Sequence, residues 1–148
     1  MGVVLLDSSA VVGFLQPDDA LHDAAFTAIA GAIRAGDHLA ISAVSWTELL
    51  TGAELGHREE AVLRGFVADF AMEILPVDRA VAERAARIRG RHAERTGGGP
   101  RRSTVAPPDA LILATAAERA SIERVIGGDA RWTRVCRSLG VSFVRLRG

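Results

Sequence analysis

The sequence contains no lysine, no asparagine and no tyrosine, and it has only one cysteine among its 148 residues. All 18 basic residues are therefore arginines, which excludes the phosphate-binding lysine of a P-loop enzyme and any lysine Schiff base. The missing lysine also argues against receiver domains and haloacid-dehalogenase-type phosphatases, which likewise place an aspartate after a first strand. A single cysteine, Cys136, excludes an internal disulfide and a cysteine-based zinc site, so we expect it to be a buried apolar side chain.

Formal net charge is zero, so no overall basic character points to nucleic acid. No apolar run approaches the length that spans a bilayer, and we expect no membrane association. The opening residues lack a basic segment, and Asp7 interrupts their apolar run, so we expect a cytoplasmic protein without a signal peptide. The length predicts one domain covering residues 1–148.

Short apolar runs alternate with longer amphipathic stretches, a pattern typical of an α/β fold with a mainly parallel sheet. Strands are predicted at Val3–Leu6, His38–Ser42, Met72–Val77, Arg124–Ile126 and Val141–Leu146. Helices are predicted at Ser8–Leu15, Asp18–Arg34, Ala43–Leu55, His57–Phe70, Asp78–Ala93, Asp109–Ala120 and Ala130–Ser138. The glycine-rich segment Thr96–Ala106 is predicted to be the one flexible loop of any length.

Four acidic residues fall at the ends or first turns of these elements, and helix capping can explain each one taken singly. Asp7 and Asp129 could cap the helices that follow them, and Asp109 could be a first-turn charge favoured by the helix dipole. Glu48 stands three residues after Ser45, which is the spacing of a capping box.

Taken together, the same four acids favour a metal site. Asp7 and Asp129 both follow predicted buried strands, and ligands of open α/β sheets bind at that edge. Glu48 and Asp109 lie in apolar segments where a solvated acid is out of place, and capping does not explain Glu48 if Ser42 is the cap. Carboxylates brought together repel one another unless a cation neutralises them.

The donor chemistry of such a site selects the ion and the reaction. Carboxylate oxygens suit Mg²⁺ or Mn²⁺, and the absence of a His-Glu-x-x-His motif argues against zinc. One or two such ions can activate water and stabilise charge on a phosphoryl oxygen, which hydrolyses phosphodiesters without a lysine or a nucleophilic serine.

The segments VVLLDSSAVVGFL, SAVSWTELLTG, PPDALILATA and VIGGDARW resemble, in order and spacing, the acidic motifs of PIN-domain ribonucleases. More closely they resemble VapC-type toxins of toxin–antitoxin pairs, and the likeness extends from Val3 to Leu146. The resemblance implies a three-layer α/β/α sandwich with a mainly parallel central sheet. It also implies a homodimeric Mg²⁺- or Mn²⁺-dependent endoribonuclease that cleaves structured RNA, such as tRNA or rRNA, and has a VapB-type antitoxin as its partner.

By position, the resemblance assigns Asp7, Glu48 and Asp109 to the principal catalytic metal shell, completed by Asp129 directly or through water. Gly127 stands where the family often has threonine or serine, so a hydroxyl contact to this site is missing. Ser8 follows Asp7 and has either a supporting role in the site or a capping role.

The densest basic stretch runs from Arg84 to Arg102 and has two interpretations. It could be a solvated helix face balanced by Glu83 and Glu94, or it could contact RNA phosphates beside the metal site. The candidate RNA-binding residues are Arg91, Arg95, Arg101 and Arg102. Two further functions stay open: a PIN-type RNA-processing nuclease without an antitoxin, and a degenerate PIN domain that binds RNA or protein without cleaving.

Overall fold

A five-stranded parallel sheet runs through the centre of the structure, a computed structural model that describes all residues from Met1 to Gly148. In chain order the elements are β1 (Val3–Leu6), α1 (Ser8–Leu15), α2 (His22–Arg34), β2 (His38–Ser42), α3 (Ala43–Glu54), α4 (Glu60–Asp69), β3 (Glu73–Leu75), α5 (Arg79–Arg91), β4 (Ala93–Glu94), β5 (Arg102–Ser103), α6 (Pro107–Glu118), β6 (Ile122–Gly127), α7 (Trp132–Leu139) and β7 (Ser142–Arg145). The strand order is β3-β2-β1-β6-β7, and each neighbouring pair is parallel.

Alternate residues of the inner strands enter two separate cores, one on each face of the sheet. In β1, Val4 and Leu6 pack against α1 to α4, while Leu5 packs against α5 to α7. All three side chains are fully buried, as expected for a strand covered by helices on both faces. The predicted three-layer α/β/α sandwich with a parallel central sheet is confirmed. None of the helices is long and apolar enough to cross a membrane.

The structure differs from the sequence prediction mainly at element ends. Helix α6 begins at Pro107, two residues before the predicted start, because proline is well accommodated in a helical first turn. Helix α2 begins at His22 and not at Asp18, since the Asp19 carboxylate accepts the N–H of Leu21 at 2.8 Å and holds a turn there. The other predicted strands and helices are present within a few residues of their expected bounds.

The strand β5 lies within the predicted glycine-rich loop and pairs with β4, just before that loop, in a small antiparallel hairpin. The assignment of Thr96–Ala106 as all loop is therefore wrong. Thr104 fixes the base of this hairpin through its N–H and hydroxyl, which both donate to the carbonyl of His92 at 2.8 Å. Two-residue strands carry too few apolar positions to show a period in the sequence.

The order of the strands creates a switch point between β1 and β6. The chain leaves β1 toward β2 and β3 on one side, and β6 and β7 occupy the other side. In parallel sheets the crevice at such a point is the usual ligand site. Asp7 stands at its edge, because its N–H continues the β1–β6 ladder by donating to the carbonyl of Ile126 at 2.9 Å.

We expect Leu113→Ala to lower the free energy of unfolding by about 2–5 kcal/mol, because truncating a buried leucine removes apolar burial and leaves a cavity. Leu113 is fully buried between the sheet and α5. Urea denaturation measures the effect. Leu55→Ala is the matched control, since Leu55 is 67% exposed and its truncation should change stability by less than about 0.5 kcal/mol. Equal losses in the two variants would contradict the packing described for α6.

Candidate acidic metal centre

Asp7 is the most deeply buried of the four acids, with 7% of its surface exposed. It occupies the N-cap position of α1, yet its carboxylate makes no capping hydrogen bond. Burial is the largest influence on this carboxyl and raises its pKa, and the charge of Asp109 raises it further, while the Ser9 hydroxyl and the nearby backbone of Ser8 and Ser9 oppose the rise. Helix capping therefore does not account for Asp7.

Ser9 connects Asp7 to the end of β6. Its hydroxyl donates to Asp7 Oδ2 at 2.9 Å and accepts the N–H of Gly128 at 3.0 Å. Space is tight here, since a Cβ at Gly128 would stand 2.8 Å from Leu21 Cδ1 and one at Gly127 would stand 3.1 Å from Asp7 Cβ. Asp7 thus receives a hydroxyl hydrogen bond although Gly127 offers none. The sequence reasoning named Ser8 as the supporting residue and missed Ser9.

The start of α3 shows which serine caps that helix. Ser42 is the N-cap, and its hydroxyl accepts the N–H of Val44 at 3.1 Å. Ser45 lies inside the helix, where its hydroxyl is buried without a hydrogen-bond partner. The capping-box interpretation of Glu48 with Ser45 is therefore wrong, and Glu48 lies on the second turn.

Glu48 lies at the open side of the crevice with its side chain exposed to solvent. The expectation that apolar neighbours withdraw it from water therefore holds only in part. Partial desolvation is still the largest cause of its raised pKa, followed by the charges of Asp7 and Asp109, and the Ser8 hydroxyl acts in the opposite direction. The supporting role of Ser8 stays a prediction.

Asp109 is the third residue of α6 and is half-buried. Desolvation is the largest cause of its raised pKa, and the charge of Asp129 adds to it. Trp132 and Arg131 lower the same pKa. The indole N–H of Trp132 is buried and makes no hydrogen bond. Its effect on the pKa of Asp109 therefore comes from its proximity to the carboxylate and not from a formed hydrogen bond.

Asp129 differs from the other three acids because Arg131 already neutralises it. The Arg131 guanidinium contacts both carboxylate oxygens, with Nη2 at 2.7 Å from Oδ2 and Nε at 3.1 Å from Oδ1. The backbone N–H of Arg131 also donates to Oδ1, at 2.9 Å. These bonds, the side-chain one foremost, lower the pKa of Asp129. The predicted capping role of Asp129 is wrong, because Arg131 is the N-cap of α7 and the Asp129 carboxylate accepts its N–H in a turn before the helix.

Asp7, Glu48 and Asp109 come from three different elements, and within this trio each of the three pairs repels. Asp129 interacts with this trio only by repelling Asp109. No three of the chain's Asp, Glu, His or Cys side chains stand at metal-ligand spacing, so the protein does not form a closed cage. The donors nevertheless fit Mg²⁺ or Mn²⁺: they are oxygens carrying uncompensated charge, and Mg²⁺ usually binds through one or two carboxylates and keeps several waters. Their role as ligands stays a prediction.

The structure divides the predicted basic stretch into two surfaces. Arg101 donates to the carbonyl of Gly90 at 3.0 Å, and with Arg102 it lines an open cleft on the hairpin. Arg95 lies in the exposed turn of the hairpin. Arg91 faces a different cleft, between α5 and α7. The RNA-binding role of these four arginines stays a prediction.

A comparison with protein families matches residues 4–138 to the PIN domain. No curated protein matches the sequence. Among solved structures, a VapBC complex from Rickettsia felis bound to a DNA fragment from its promoter has a TM-score of 0.70 at 13% identity, covering 98% of this chain and 99% of that chain. A sarcin–ricin-loop-cleaving VapC toxin from Mycobacterium tuberculosis has a TM-score of 0.65 at 17% identity with the same coverage. A toxin–antitoxin complex from Klebsiella pneumoniae has a TM-score of 0.61 at 23% identity, covering 86% of this chain and 88% of that chain. At these identities the likeness concerns the fold.

We expect Asp7→Asn to raise the free energy of unfolding at neutral pH because it removes a buried charge, and each unit by which burial raises a folded pKa corresponds to about 1.4 kcal/mol. Burial raises the folded pKa of Asp7 above 3.8, its ordinary value. As the pH rises, the unfolded chain loses this proton first, so the contribution of Asp7 to stability is fully present below pH 3.8 and is lost as the pH rises through its folded pKa.

Denaturation of both proteins across this pH range measures the effect, with Asp18→Asn as the control for losing an exposed carboxylate. The gain from Asp7→Asn should disappear in acid. A variant that is less stable than the wild type at neutral pH would contradict the burial argument.

We expect Ser9→Ala to destabilise the fold by about 1–3 kcal/mol, since it leaves the N–H of Gly128 unpaired. Loss of the orienting bond to Asp7 should also weaken Mg²⁺ binding by about 10-fold to 100-fold, as for other residues that orient metal ligands. Urea denaturation and calorimetric Mg²⁺ titration measure the two effects. Ser8→Ala is the control, and an equal loss of Mg²⁺ affinity there would show that Ser9 has no special role.

Proposed function

Since the chain belongs to the PIN domain family, we propose that it is a Mg²⁺- or Mn²⁺-dependent endoribonuclease. The observation that carries the proposal is the convergence of Asp7, Glu48 and Asp109 on the switch point of the sheet, each with a raised pKa. A fold does not gather repelling carboxylates for stability, because each one is destabilised by its neighbours. A divalent cation removes that repulsion, which supports a metal site.

Asp7, Glu48 and Asp109 are the residues that would hold the ion. When bound, the ion supplies an activated water and stabilises negative charge on a phosphoryl oxygen. The chain itself orients the carboxylates. Ser9 fixes one oxygen of Asp7, and the rigid first turn of α6 positions Asp109.

Arg131 stands beside this centre with its side chain 75% exposed while it neutralises Asp129. A guanidinium forms bidentate bonds with phosphate as readily as with carboxylate. Arg131 is therefore placed to exchange Asp129 for a substrate phosphate, which would free Asp129 to complete the acidic centre directly or through water.

We further propose that the enzyme is the toxin of a VapBC-type pair, with a VapB-type antitoxin as its partner. Support comes from the similar structures from Rickettsia felis and Klebsiella pneumoniae, which are toxin–antitoxin complexes. An apolar cleft between α1 and α4, lined by Val12, Leu15 and the 46% exposed Val62, offers a surface for a protein partner. A homodimer belongs to the same proposal. The alternative nuclease without an antitoxin is distinguished by the absence of a short neighbouring reading frame that encodes a DNA-binding protein.

One observation favours the non-cleaving alternative, a PIN domain that binds RNA or protein only. Asp129 is held by Arg131, and the acids do not close into a three-ligand group. This alternative predicts that the chain binds RNA equally well with and without Mg²⁺ and never cuts it.

We expect the purified chain to cleave RNA in Mg²⁺ or Mn²⁺ and to lose this activity in EDTA. Asp7→Asn should lower the rate by about 100-fold or more while remaining folded, because the ion's charge stabilisation is worth several kcal/mol. Sequencing the cleavage ends in total RNA after brief expression measures the activity and identifies the RNA. Asp18→Asn serves as the control. Undiminished cleavage by folded, metal-free Asp7→Asn protein would refute the mechanism.

A further inference from the structure

Two neighbouring cavities, which have His92 in common, lead away from the acidic centre. The first, of about 460 Å³, includes Asp109 and lies along α7. The second, of about 270 Å³, lies between α5 and α7, and His92 lines both. We name them together the arginine groove, whose basic wall residues are Arg84, Arg87, Arg91, Arg131, Arg134 and Arg137.

Helix geometry explains why the arginines of each helix lie in one row. On α5, Arg84, Arg87 and Arg91 are three and then four residues apart, so they share one face, and the row spans about 10 Å along the helix. The buried stripe of α5 lies on another face of the helix and packs on the core. On α7, Arg134 and Arg137 are three residues apart and extend from Arg131 near Asp109.

His92 lines both cavities and contacts α7 from the end of α5. Its Nε2 lies 3.1 Å from the Ser138 hydroxyl of α7, which in turn donates to the carbonyl of Val135 at 2.7 Å. Desolvation and the charges of Arg134 and Arg91 lower the pKa of His92. These contacts hold the positive rows of α5 and α7 side by side.

Most of this positive charge has no partner within the chain. Arg84 pairs with Glu118, and Arg131 pairs with Asp129, but Arg87, Arg91, Arg134 and Arg137 form no ion pair and are exposed. The acids lining the groove are only Glu94 and Asp109. A chain of zero net charge thus places six of its 18 basic residues on one groove.

A solvated helix face is the ordinary explanation of surface arginines, and elsewhere on this chain it holds. Arg79 and Arg64 each pair with a glutamate four residues away on the same helix. The groove lacks such pairing, and its like charges repel one another across a concave surface. That arrangement attracts a polyanion.

We propose that the arginine groove binds the phosphate backbone of a single-stranded RNA segment, which extends from the acidic centre along α7 to α5. This proposal rests on the proposed ribonuclease function. Guanidinium groups match phosphate geometry through paired N–H donors. Contacts to phosphate make this binding largely independent of base sequence.

The test measures binding of a fluorescent single-stranded oligouridylate in EDTA by anisotropy at several salt concentrations. Two variants remove one wall each: Arg87→Ala with Arg91→Ala, and Arg134→Ala with Arg137→Ala. The control is Arg34→Ala with Arg64→Ala, which removes the same charge from α2 and α4 on the opposite face of the sheet.

We expect each groove variant to bind at least about tenfold more weakly, as loss of charged hydrogen bonds implies. Each should also lower the slope of log K against log salt by about 1.4, since a single-strand phosphate contact contributes about 0.7. The control should keep the wild-type slope. Groove variants indistinguishable from the control, or a wild-type chain that does not bind the oligouridylate, would overturn the proposal.

Tighter binding of polyglutamate than of oligouridylate would assign the groove to an acidic polypeptide and would also overturn it. The measurement excludes metal, so it does not depend on catalysis. RNA binding through the groove without cleavage in Mg²⁺ would refute the ribonuclease proposal alone. Normal cleavage by the groove variants would refute the groove alone.

Discussion

The carboxylate of Asp7 is buried at the point where β1 and β6 diverge, and the geometry of the site follows from holding it there. Its backbone N–H extends the sheet to Ile126, and its Oδ2 accepts the Ser9 hydroxyl that also binds the N–H of Gly128. These bonds join the start of α1 to the end of β6. The burial also gives Asp7 its raised pKa. A fold that keeps an acid in this position gives up stability, and the negative charge it places at the end of β1 is the basis of the proposed metal site.

Charge is distributed unevenly around that point although the chain as a whole is neutral. Negative charge collects on Asp7, Glu48 and Asp109, and positive charge collects in the arginine groove that begins beside Asp109. Arg131 stands at the boundary, bound to Asp129 and lining the groove. A polyanion bound along the groove would therefore bring a phosphate close to the carboxylates. Because both groups are negative, the approach of the phosphate would be favourable only with a cation between them.

The layered architecture could be predicted from the sequence because it depends on the periodic placement of apolar residues. Runs such as Val3–Leu6 have no polar residue, which requires a strand covered on both faces, and both cores receive its side chains. The hairpin of β4 and β5 had no such pattern, since backbone bonds alone define it. The sequence also does not distinguish Ser42 from Ser45 as the N-cap of α3, because serine is a good cap at either position. The position where the helix starts shows that Ser42 is the cap.

The sequence by itself determined the seven helices, the five strands of the central sheet and the choice of four acids as candidates, because these depend on residue type and local spacing. Only the tertiary structure decided how the acids differ. It tied Asp129 to Arg131, left Glu48 exposed, and gave Asp7 a hydroxyl from Ser9 in place of one at position 127. It likewise brought arginines of α5 and α7 into one groove although they lie some 40 residues or more apart. Such contacts depend on how helices pack across the sheet, and no local pattern records that packing.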